Sequence, residues 1–213
     1  MNRRTIILAL ALALTSVLGV IGAYAAWPRQ ADLRGFEPAG IARLETAMWR
    51  DYYEKHYVAL FGHLYELSRT QFGFAPLDSF RIALSAAQAA KAFQPTRSRE
   101  AANAALSPLV TYFRLLASAT PGGFDAEEAA RLELDWWQAR REAVAPGQYG
   151  MTVARVAAVT YGKAADDPSL LISGIGRAEA MAYRDTRGQA MTDADWSEIE
   201  YRSLKAAVAA GNP

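Results

Sequence analysis

Apolar positions recur at helical spacing through most of the chain. Between Glu37 and Thr70, the residues Ile41, Leu44, Met48, Trp49, Tyr52, Ala59, Leu60, Leu64 and Leu67 fall mostly at steps of three and four, the period of an amphipathic helix. The pattern predicts one long helix, opened by Glu37 and Pro38 and ended by Gly73 and Pro76. Asp78 is placed to cap a helix over 79–93, and Ser98 to cap one over 99–118. Pro108 should kink or divide the second of these. Thr120-Pro121-Gly122-Gly123 reads as a loop. Asp125 to Glu128 has capping-box spacing and opens a helix to about Val144, which Pro146 and Gly147 break. Three further helices are expected: from about Tyr149 to Tyr161, from Pro168 to about Arg184, and from Thr192 to about Ala209. No segment sustains period-two alternation, so no sheet is expected. The fold class is all-α, with six to eight helices in one bundle-like domain over 37–213.

The first 26 residues follow a different pattern. After the basic start at Arg3 and Arg4, Thr5 to Ala26 carries no charge and is mostly Leu, Ala, Ile and Val. About 20 such residues span a bilayer as a helix. The basic end predicts a cytoplasmic N-terminus, a single pass through a bacterial-type inner membrane, and a periplasmic domain. A cleavable signal peptide is the rival reading, because Ala23-Tyr24-Ala25 fits a cleavage site near Ala25, which would release the domain into the periplasm. The apolar run exceeds the roughly 7–15 residues of a signal core, and Trp27 suits an interfacial anchor. Both points favour retention. Residues 27–36 read as a linker.

Composition narrows the function. Of 213 residues, 52% are hydrophobic, which supports a packed core rather than disorder. The net charge of +1 lacks the basic excess of a nucleic-acid binder. The absence of cysteine excludes disulfides, thiolate metal sites, a thiol nucleophile and covalent haem attachment.

The candidate chemistry lies on two predicted helices. On the first, a continuous helix would bring Glu45, His56 and His63 within about 20° of one direction, shared with Trp49 and Tyr52. His56 and His63 would stand about 10 Å apart along the axis, and Glu45 about 16 Å from His56. One metal ion, with ligands near 2 Å, cannot join any two of them; each could contribute to a site completed by another helix. On the second, Glu133, Trp136, Trp137 and Arg140 border the core face. Trp136 with Arg140 and Trp137 with Arg141 have the spacing for cation–π stacking. If the two helices pack together, Arg140 could meet Glu45, and Glu133 a histidine or tyrosine. No E-x-x-H pair, nucleophile motif or phosphate loop is present. Gly174-x-Gly176 lacks a preceding strand and a third glycine, and reads as a glycine-loosened helix start.

These features point to a membrane-tethered, non-catalytic helical protein. Its expected partners are the membrane, through Thr5 to Ala26, and an envelope protein or membrane complex, but not nucleic acid. No cofactor is expected. The alternative is a helical-bundle protein holding a metal, a haem or another cofactor, as an enzyme or a carrier. Its weak ligand candidates are Glu45, His56, His63 and Glu133. Glu45, Trp49, Tyr52, His56, His63, Glu133, Trp136, Trp137 and Arg140 otherwise form a polar and aromatic core.

Overall fold

Helix α1, Arg3–Ala26, is capped by the Asn2 side chain, which accepts from the Arg4 amide. Its 24 residues reach about 36 Å, enough to cross a bilayer's hydrocarbon core. The computed structural model describes residues 2–27 and 29–211. Met1 of the predicted anchor, Pro28 of the predicted linker, and Asn212 and Pro213 of the predicted domain lie outside the described residues. Ile6–Ala26 has a mean hydropathy of 2.5, and none of it is buried within the fold.

After α1 the chain docks on the domain instead of running free. Ala31 and Leu33 are buried. The Ala31 amide donates to the Ala119 carbonyl at 2.9 Å, and the Asp32 amide to the Phe72 carbonyl at 3.1 Å.

The remaining helices are α2 (Pro38–Glu54), α3 (Tyr57–Glu66), α4 (Pro76–Phe93), α5 (Arg99–Ala102), α6 (Leu106–Ala119), α7 (Ala126–Arg141), α8 (Pro146–Tyr161), α9 (Pro168–Arg187) and α10 (Asp193–Gly211). Among the described residues there is no strand, so the fold is all-α. The starts follow local chemistry. Glu37, Ser98, Asp125 and Asp167 each accept from first-turn amides. Thr192 and Asp195 cap α10 reciprocally: the Asp195 amide donates to Thr192 Oγ1, and the Thr192 amide to Asp195 Oδ2. Two starts come earlier than expected. Pro76 and Pro146 each occupy a first-turn position, where the missing amide costs nothing. The division expected in the Arg99 helix falls at a tight turn over Asn103–Ala105, which puts Pro108 in the first turn of α6.

The predicted long helix is broken. Lys55 adopts a left-handed conformation (φ 61°, ψ 29°), and the His56 amide reaches back to the Asp51 carbonyl at 2.8 Å. This is the six-to-one closure of a Schellman cap, with lysine where glycine usually sits. Gln94, which caps the end of α4, donates to the Tyr52 carbonyl at 2.8 Å and stabilises the break from outside. The turn is sharp. His63 Nδ1 and Asp51 Oδ2 lie 2.7 Å apart, whereas residues twelve apart on a straight helix would be about 18 Å apart. Glu45, His56 and His63 therefore do not share one direction, and the angular expectation fails here.

Ala143 is the second non-glycine residue in left-handed backbone (φ 58°), closing α7 in the same way with Val144 N to Ala139 O at 3.0 Å. Such a conformation costs an L-residue about 1–2 kcal/mol. Glycine removes that strain but gives back part of it as unfolded-state entropy. Lys55→Gly and Ala143→Gly should each raise stability by about 0.5–1 kcal/mol, read from chemical denaturation of the full chain. No gain in either variant would mean that neighbouring contacts define these turns rather than backbone preference.

The packing order closes on itself. α2 packs on α3, α3 on α4, α4 on α6, α6 on α7, α7 on α8, α8 on α9, α9 on α10, and α10 returns to α2. α8 and α9 cross most closely, where Gly150 and Gly174 face each other. Gly174 thus lies inside α9, against another backbone, and not at a loosened helix start. The largest buried cluster joins α4, α6 and α7 around Ile82, Phe93, Leu109, Phe113 and Leu134. A second, around Trp136, Tyr149, Val153 and Met181, joins α7, α8 and α9.

Candidate functional site: an aromatic void around Glu133

The ring of helices leaves a void of about 220 Å³, open on one side, between α2, α3, α4, α6, α7 and α9. Four consecutive positions on one side of α7, Glu133, Trp136, Trp137 and Arg140, form one wall of it. They share a wall because residues three and four apart neighbour each other on a helix. Trp136 Nε1 donates to Glu133 Oε2 and Trp137 Nε1 to Glu133 Oε1, both at 2.9 Å. The two indoles meet nearly edge to face, with centroids 6.1 Å apart, and Phe93 packs edge-on to Trp137 at 5.1 Å. From α2, Met48, Trp49, Tyr52 and Tyr53 form the opposite wall. Tyr52, Tyr53, Phe93, Trp137 and Arg140 also line an open cleft running outward past Tyr149 and Asp185. They stand where void and cleft meet.

The charges here are organised in pairs. Arg140 forks onto Asp185, with Nε to Oδ2 and Nη2 to Oδ1 both at 2.8 Å, and also donates to the Tyr53 hydroxyl. Burial disfavours the Arg140 charge, but Tyr53 and Asp185 more than offset this, and its pKa is raised. Arg184 lies 3.4 Å over the Tyr53 ring. Arg177 pairs with Glu45 at 3.0 Å, while its Nε has no hydrogen-bond partner. Burial pushes the Tyr52 hydroxyl to about 12 and raises Tyr112 as well, so both stay protonated and neutral in the physiological range.

Burial also raises the Glu133 pKa. Its two indole donors and Arg177 oppose the rise, and Glu45 adds to it. A carboxyl with a raised folded pKa binds its proton more tightly in the native state. Stability should therefore fall as pH climbs from the ordinary value of 4.5 through the raised folded value. Glu133→Gln should remove that part of the dependence. Urea unfolding of both proteins across this window checks the sign. A wild-type curve no steeper than the variant's would contradict it.

Several sequence-derived expectations change. Arg140 meets Asp185 and Tyr53, and Glu45 meets Arg177 instead. The Trp136–Arg140 and Trp137–Arg141 stacks do not form among the described residues. The indole N–H groups turn to Glu133, and Arg141 lies 3.6 Å over the Phe93 ring. His63 is taken by Asp51, and His56 is 60% exposed beside Glu54 at 3.4 Å. Neither histidine lines the void. Among the described residues, no three His, Asp or Glu side chains converge as ligands for one metal ion.

Trp49, Tyr52, Glu133, Trp136, Trp137 and Arg140 thus come together at the void, and Glu45 joins them indirectly through Arg177. Sequence reasoning missed Tyr53, Phe93, Tyr112, Arg177 and Asp185. Arg177, about two and a half turns into α9, carries no local mark of its inward path.

No known protein family, curated relative or solved structure matches the chain. The functional argument therefore rests on this geometry alone.

Proposed function

We propose that the chain is a single-pass, membrane-tethered helical protein of non-catalytic role, which assembles with another envelope protein or membrane complex. The N-terminus is cytoplasmic and the domain lies on the periplasmic side. The observation that carries this reading is α1. A helix with mean hydropathy 2.5 of which the domain buries none needs an apolar environment from elsewhere. Arg3 and Arg4 precede it, and the charge pattern favours their retention in the cytoplasm. The tether holds the domain at high local concentration beside membrane partners.

The test uses the full chain in a bacterial host. Carbonate-washed membranes should retain it, and its N-terminal sequence should begin before Ala25. In detergent it should run as a defined complex by light scattering, cross-linked through single introduced cysteines at fixed positions. A soluble, cleaved monomer with no cross-links would overturn the proposal.

A second reading is favoured by the void itself: a domain that binds a small ligand between its helices. The aromatic lining and the inward Glu133 carboxylate support ligand binding. Of the earlier metal or cofactor candidates, only Glu133 faces this space. Binding and assembly are compatible, because the ligand would sit inside the domain and partners outside it.

A further inference from the structure

We infer that the void around Glu133 is a binding site for a small organic cation, of the alkylated-ammonium or short-amine class. This deepens the ligand-binding reading above and rests on it.

Charge counting comes first. Among the described residues, no cationic nitrogen lies within 4.0 Å of the Glu133 carboxylate. Arg177, the cation that acts on it through space, is paired with Glu45. Arg140, on the same wall, is forked onto Asp185. Glu45 and Glu133 thus share Arg177, while Arg140 and Arg184 share Asp185; the charges balance over the group, but Glu133 is the carboxylate at the void without a cation in direct contact. The indoles satisfy one lone pair on each Glu133 oxygen, and each oxygen can accept again.

The lining then selects among cations. Trp49, Tyr52, Trp136 and Trp137 surround the space, and the faces of such rings attract positive charge. Leu60, Leu64, Ala86, Ala90, Leu109 and Met181 add apolar wall, and the side-chain oxygens are limited to Glu133 and three tyrosine hydroxyls. A calcium or magnesium ion needs about six or more oxygen ligands, which this wall does not provide. An ammonium bearing carbon substituents satisfies both features: its charge meets Glu133 and its methyl or methylene groups meet the rings. An anion would face Glu133 with both nearby guanidinium groups already committed. Size sets the scale, since about 220 Å³ is below the roughly 300–1,000 Å³ of sites for drug-sized ligands. Choline and tetramethylammonium are suitable probes.

An empty site has another way to neutralise Glu133, which is to take up a proton. The cation and the proton then compete for one carboxylate. Binding releases the proton to solvent, and affinity rises with pH. The titratable and charged groups that act on Glu133 are Glu45 on α2, Tyr112 on α6 and Arg177 on α9.

The experiment titrates the full chain in detergent with choline, tetramethylammonium, and 3,3-dimethylbutanol as choline's neutral isostere. Calorimetry in two buffers of different ionisation enthalpy reads the proton released, and tryptophan fluorescence reads occupancy. Choline should bind saturably and about tenfold more tightly than the isostere, with affinity rising with pH. Glu133→Gln should weaken choline by about tenfold or more and leave the isostere unchanged. Ala90→Leu, which fills the void and keeps the carboxylate, should weaken both. Glu200→Gln, exposed on α10, should change neither. Equal binding of choline and isostere, insensitive to Glu133→Gln, would overturn the cation assignment and leave the void as a neutral-ligand site. No saturable binding of any probe at millimolar concentration would overturn the ligand-binding reading as well.

Discussion

Gly174→Ala is expected to lower stability by about 3 kcal/mol, a fall of roughly 6–12 °C in the melting temperature of a chain this long. A Cβ at Gly174 would lie 2.4 Å from the Gly150 carbonyl oxygen, 2.6 Å from the Ala154 amide nitrogen and 2.8 Å from Ala154 Cβ. Two of these atoms belong to backbone, which cannot swing aside as a flexible side chain would. α8 and α9 would have to separate or rotate, disturbing the Tyr149 hydroxyl bond to the Ala178 carbonyl, which spans the same crossing at 2.7 Å. Alanine recovers about 1 kcal/mol of helix propensity, which only partly offsets the overlap. Gly62→Ala is the matched control. It lies in the interior of α3 with nothing within 4 Å of the new Cβ, so it should stabilise by about 1 kcal/mol. Thermal melts of the full chain in detergent compare the two. If Gly174→Ala melted no lower than wild type, the α8–α9 crossing would be looser than its geometry requires.

The same crossing shows what the sequence made legible and what it hid. Apolar periodicity located the helical segments, and cap residues such as Asp125, Ser98 and Thr192 placed several starts correctly, because these are local interactions. The glycines of α9 were visible too, but their purpose was not. Close approach to Gly150 depends on a partner helix 24 residues away, which no local pattern encodes. The break at Lys55 was hidden for a related reason. A lysine in left-handed backbone gives no compositional signal, and the turn is held by Gln94 and His63 from outside the helix. Once the helix bends, every angular relation carried across it is lost, which is why the Glu45–His56–His63 alignment failed. The Glu133–Trp136–Trp137–Arg140 group survived because it needs only one unbroken helix. Its partners Arg177 and Asp185 come from a helix whose rotation is set by tertiary packing.

The Glu45–Arg177 pair should behave as a coupled unit. Its members are largely covered, with side-chain exposures of 16% and 31%. Breaking a buried pair strands the remaining charge, at about 3–5 kcal/mol. The partial access of Arg177 lowers this to roughly 2–3 kcal/mol. Glu45→Leu should therefore destabilise by that amount, leaving Arg177, whose Nε is already unpartnered, with only Glu133 to balance it. Arg177→Met should cost at least as much, because it leaves Glu45 and Glu133 without the guanidinium between them. It has a second signature. Arg177 is one of the influences that lower the Glu133 pKa, so its removal should push that pKa higher and steepen the loss of stability as pH rises. Combining Glu45→Leu with Arg177→Met removes both charges and fills the space with apolar atoms, an exchange that is often close to neutral. The double variant should thus be more stable than either single one. Its coupling energy should be roughly 2 kcal/mol, measured by urea unfolding as a double-mutant cycle. Simple additivity of the two single effects would show that the pair is solvated and does not set the register between α2 and α9. An unchanged pH profile in Arg177→Met would separate Arg177 from Glu133. In that case Glu133 would be neutralised by the void's own occupant or by a proton alone.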